Sequence, residues 1–90
     1  MKIQQTAIFG RTVKKLHKNE KSGLDRAVRK LIKEPESGQK KKGDLTGVRV
    51  YKFKVKTQQY LLAYTIDPKQ SEITLVALGT HENFYRDIKR

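Results

Sequence analysis

The chain has 90 residues, with 21 lysines and arginines against 9 acidic residues, a formal net charge of +12. Without cysteine and with two histidines, it offers neither disulfides nor the ligand set of a structural zinc site, so no metal or cofactor is expected. The longest apolar stretch, Tyr60-Leu61-Leu62-Ala63-Tyr64, is far too short to span a bilayer, and the N-terminus lacks the apolar run of a signal peptide. These features predict one small domain over residues 1–90, soluble and cytoplasmic, with no membrane partner. The positive field draws polyanions: RNA, DNA or an acidic protein.

Residues 2 to 5 are expected to form a short edge strand. Thr6 then suits the N-cap of a helix in which Ile8, Phe9, Val13 and Leu16 recur at helical spacing. Asn19 to Gly23 reads as a polar break. A second helix follows, with Leu24, Ala27, Val28, Leu31 and Ile32 on one face and Arg26, Arg29, Lys30 and Lys33 outside, ended by Pro35. Such a pair is expected to cover one side of a sheet. Glu36 to Gly43 reads as a loop holding the run Lys40-Lys41-Lys42, either a solvated segment or an arm that grips phosphates.

Three strands come next. In the first, Val48 to Lys56, the period of two sends Tyr51, Phe53 and Val55 one way and Lys52, Lys54 and Lys56 the other. One face then packs on a core while the other presents a row of ammonium groups. The second strand, Tyr60 to Ile66, places Tyr60, Leu62, Tyr64 and Ile66 on one face. Asp67-Pro68-Lys69-Gln70 is a turn. The third strand, Ile73 to Leu78, is apolar almost throughout and so reads as central. Gly79 is expected to end it, and Thr80 to cap a short last helix.

Taken in order, these residues are familiar. Leu45-Thr46-Gly47, Tyr51-Lys52-Phe53-Lys54, Tyr60-Leu61-Leu62-Ala63-Tyr64 and Gly79-Thr80-His81-Glu82-Asn83-Phe84-Tyr85 resemble the RelE/ParE superfamily of type II toxin–antitoxin toxins over nearly the whole chain. The resemblance implies an α+β, microbial-ribonuclease-like fold: two N-terminal helices on a curved, mainly antiparallel sheet of about four strands, a short C-terminal helix, and the other side of the sheet open. RelE-like members cleave mRNA in the ribosomal A site and are inhibited by an acidic antitoxin, which implies mRNA, 16S rRNA and a cognate antitoxin as partners here. ParE-like members poison DNA gyrase. The spacing Gly79-Thr80-His81 with an aromatic four residues on is most similar to the YafQ-like ribonucleases. The pattern departs at Leu61, where many members carry arginine.

The RelE-like branch implies catalytic roles for Lys52, Lys54, His81 and Tyr85. Metal-free RNA cleavage needs a base for the 2′-hydroxyl proton, cations for the phosphorane and an acid for the departing oxygen. His81 is the acid/base candidate, because imidazole alone titrates near neutrality without large perturbation. Tyr85 would stack on a base or orient the attacking hydroxyl. Arg49, Lys56, Lys40, Lys41 and Lys42 would hold flanking phosphates. The competing readings are a gyrase inhibitor and a non-catalytic RNA-binding module.

Overall fold

The computed structural model describes residues 2–41 and 47–80. Their order is β1 (Lys2–Gln5), α1 (Ala7–Lys14), α2 (Lys18–Lys33), a 3₁₀ turn (Pro35–Ser37), β2 (Gln39–Lys40), β3 (Arg49–Val55), β4 (Gln58–Asp67) and β5 (Glu72–Thr80). The strands form one five-stranded sheet in the order β1-β5-β4-β3-β2. The pairs β2·β3, β3·β4 and β4·β5 are antiparallel and β1·β5 is parallel. The fold is therefore α+β with a mixed sheet, one strand richer than the expected four.

The two helices bury their apolar stripes against one sheet face. Phe9, Leu24, Ala27 and Leu31 meet Val55, Tyr60, Leu62, Tyr64, Ile73 and Leu75 in the main core. Ile8 and Ile32, expected on the inner faces, are instead 59% and 41% exposed. Thr6 caps α1 as expected: its Oγ1 accepts from the Phe9 N–H at 3.1 Å. The same hydroxyl donates to the Val76 carbonyl at 2.7 Å. Val76 is the extra residue of a β-bulge, since Ala63 pairs with Ala77 and Tyr64 with Leu75.

The expected break at Asn19–Gly23 is helix. The chain leaves α1 at Lys14 and re-enters helix at Lys18, because Glu20 reaches back to accept from the His17 N–H at 2.7 Å, half of a capping box. Gly23 lies inside α2 for a reason of space, since a Cβ there would sit 2.5 Å from Val55 Cγ2. Gly38 is likewise pressed against Tyr64, whose hydroxyl would be 2.5 Å from an added Cβ.

At the other end of the chain, β5 runs through Gly79 to Thr80, so Gly79 does not stop the strand and Thr80 pairs with Tyr60. The expected C-terminal helix lies outside the described residues. No helix among them is long and apolar enough to cross a membrane.

Candidate nucleic-acid interface

In β3 the alternation holds. Tyr51, Phe53 and Val55 pack into the helix-side core. Lys52 and Lys54 point to the opposite face, and both are exposed. Their Cα atoms are two residues apart, about 6.6 Å along the strand. Across the sheet Lys52 faces Leu61 and Lys54 faces Gln59, and Leu61 in turn faces Gly79.

This outer face has a direction. Its middle is a second apolar cluster of Val50, Leu61, Ala63 and Ala77, all buried, so the face is not open throughout as expected. The hairpin end holds Lys52 and Lys54. The far end holds Asp67 opposite Glu72, and Asp67 is six residues beyond Leu61, about 20 Å away. Among the described residues, the outer-face carboxylates therefore stand well away from the lysine pair, and an anion is drawn to the hairpin end.

Lys56 occupies the two-residue turn between β3 and β4 with φ 57°. Primed hairpin turns require a left-handed residue at the first central position, normally glycine or asparagine. Lys56 thus stands at the tip next to Lys54.

The remaining basic candidates lie elsewhere. Arg49 shares the helix-side parity of Tyr51 and pairs with Tyr64. Its Nη1 donates to the carbonyls of Gly38 at 2.9 Å and Glu36 at 3.3 Å, so it clamps the connection after α2 and does not face the Lys52–Lys54 pair. Lys40 pairs with Arg49 on β2 and is exposed. The Lys41 N–H donates to the Val48 carbonyl, and with Lys40 and Arg49 it lines a cleft of about 460 Å3 that does not include the lysine pair. Lys42, His81 and Tyr85 lie outside the described residues.

Two tyrosines hold the frame, and sequence reasoning assigned their hydroxyls no role. The Tyr64 hydroxyl donates to the Pro35 carbonyl at 2.6 Å and accepts from the Gly38 N–H at 2.8 Å; burial pushes its pKa up. The Tyr60 hydroxyl donates to Glu20 Oε2. Burial, then that bond, pushes the Tyr60 pKa up to about 12, and the same bond, helped by the His17 N–H, draws the Glu20 pKa down. Tyr60 also stacks on Phe53, with centroids 5.7 Å apart. The helix junction is thereby tied to the lysine end of the sheet.

A family model described as the ParE-like toxin of type II bacterial toxin-antitoxin systems matches residues 3–89. The chain belongs to that family. The toxin is also similar to one chain in the crystal structure of the intact E. coli RelBE toxin-antitoxin complex, with a TM-score of 0.70 and 15% identity, over 87% of this chain and 93% of that one. At that identity the likeness is one of fold. Among curated protein sequences, none matches the toxin.

Proposed function

We propose that this toxin halts translation as a metal-independent endoribonuclease that cuts mRNA in the ribosomal A site, and that an acidic cognate antitoxin restrains it. The observation that carries this reading is the placement of Lys52 and Lys54. They stand exposed on the sheet face away from the helices, at the end where β5 finishes with Thr80 beside Tyr60. His81 follows Thr80 directly in sequence.

In this reading His81 takes the proton of the 2′-hydroxyl, whose oxygen attacks the adjacent phosphorus. Lys52 and Lys54 balance the charge gathering on the phosphorane oxygens, and the P–O5′ bond breaks to leave a 2′,3′-cyclic phosphate, while the departing 5′-oxygen takes a proton from water to become a 5′-hydroxyl. Tyr85 orients the nucleotide by stacking. Contacts to 16S rRNA would come from the surplus positive charge.

A second reading is inhibition of DNA gyrase, favoured by the ParE-like description of the matching family. Induced expression followed by mapping of transcript 5′ ends separates the two. Discrete cuts within coding regions, reduced about 10²-fold or more in a Lys52→Ala/Lys54→Ala variant, are the expected result. Intact transcripts accompanied by chromosomal DNA breaks would overturn the ribonuclease reading.

A further inference from the structure

The hairpin end gathers lysines from a second layer. Lys14 and Lys15 close α1, while Lys18 and Lys21 open α2, four lysines within residues 14–21 and all exposed. Three observations put this junction beside the β3–β4 turn. Glu20 accepts from the Tyr60 hydroxyl. Gly23 presses on Val55, the residue before Lys56. Leu16, Glu20, Phe53 and Tyr60 surround one small void.

Lys14 and Lys15 suit the negative C-terminal pole of α1, but local stability does not account for Lys18 and Lys21. The N-terminus of a helix is its positive pole, and cations there are unfavourable. Lys18 and Lys21 are nevertheless in the first turns of α2, on neighbouring surface positions three residues apart. The acid of that turn, Glu20, directs its two oxygens to the His17 N–H and the Tyr60 hydroxyl. Lys56 adds another cation, held in a left-handed conformation that L-residues adopt at a cost. Repulsion of this kind is relieved by a bound polyanion, and a chain of phosphates matches a line of cations that turns a corner.

We propose that Lys14, Lys15, Lys18 and Lys21 continue the Lys54–Lys56 edge into one track for a nucleic-acid phosphate backbone, which carries the RNA strand flanking the cleaved linkage from the sheet face around the hairpin end to the helix junction. The assignment of RNA as the bound strand rests on the function proposed above; the track itself rests on the charges and their placement. It binds by counterion release and reads no bases.

The test uses the full chain and a fluorescent 2′-O-methyl RNA 20-mer, which binds without being cut, titrated over a range of KCl. Each single-strand phosphate contact contributes about 0.7 to the slope of log K against log salt. Replacing all four junction lysines by glutamine is expected to lower that slope by about 2 to 3, with an unchanged far-UV circular dichroism spectrum. A dinucleotide, whose one phosphate is held by the Lys52–Lys54 pair, is expected to bind both proteins alike. Equal losses on RNA and on a DNA 20-mer uphold a backbone track, whereas loss on DNA alone overturns its assignment to RNA. An unchanged slope overturns the track, and so does loss of polyglutamate binding with RNA binding intact, which would make the junction a surface for an acidic protein. If mapping of transcript 5′ ends after induction shows no cuts by the parent protein yet the slope still falls, the ribonuclease reading fails and the track stands.

Discussion

Thr6 and Val76, 70 residues apart, are joined through one hydroxyl: Thr6 Oγ1 donates to the Val76 carbonyl at 2.7 Å while it accepts from the Phe9 N–H at 3.1 Å. A single atom thus caps α1 and satisfies the carbonyl at the β5 bulge. Thr6→Ala is expected to cost about 1–3 kcal/mol, the loss of a cap plus a bond to the bulge. Thr6→Ser should recover most of it. Urea unfolding of the two variants checks this; equal destabilisation would mean that the methyl group, not the hydroxyl, matters.

Gly23→Ala would stabilise a free helix by about 1 kcal/mol. Here the new Cβ meets Val55 Cγ2 at 2.5 Å, and overpacking costs about 1–3 kcal/mol. The net effect is expected to be destabilising. Adding Val55→Ala should be less harmful in the Gly23→Ala background than alone, a coupling that a double-mutant cycle measures directly.

Tyr64→Phe removes both the donor to Pro35 and the acceptor for the buried Gly38 N–H. The expected loss is about 1–3 kcal/mol, because an unsatisfied buried group costs more than an absent pair. Amide exchange should accelerate at Gly38 and Lys41, which follow the anchored turn, while the β4–β5 ladder stays protected below the global unfolding limit.

Glu20 and Tyr60 make stability depend on pH at both extremes. The folded pKa of Glu20 is depressed, so its contribution is present above the unfolded carboxyl value, about 4.3, and is lost as pH falls through the lower folded value. The Tyr60 pKa is raised to about 12, so its contribution is intact below about 10 and is lost as pH climbs through the folded value. Tyr60→Phe is expected to flatten both limbs of a stability–pH curve. An acid limb identical to that of the parent would show that the Glu20–Tyr60 bond does not form.

Lys56→Gly relieves a left-handed lysine and is expected to raise stability by up to about 1 kcal/mol. Denaturant midpoints check the gain. The same substitution removes a cation from the hairpin tip, so stability and nucleic-acid affinity should move in opposite directions.

Much of this frame was legible in the residues. The alternation in β3, the cap at Thr6, the edge position of β1 and the central position of β5 follow from local periodicity and side-chain chemistry. The start of α2 did not, because Lys18 to Gly23 is polar, and its helix depends on Glu20 reaching both His17 and Tyr60. Arg49 could be recognised as basic, but only the pairing of β2 with β3 shows its guanidinium turned to backbone carbonyls. Gly38 looks like a turn glycine in sequence; it is there to leave room for a phenol ring 26 residues away.

The parallel pairing of β1 with β5 also sets an order of assembly. Synthesis proceeds from the N-terminus at about 5–20 residues per second, and among the described residues β1 has only β5 as a sheet neighbour. The opening strand of a nascent chain therefore waits for residues 72–75 to be made before its ladder can close. A product broken off before β5 lacks both the strand that joins β1 to β4 and the carbonyl that Thr6 needs, so its first strand and first cap stay without the partners they have in the finished fold.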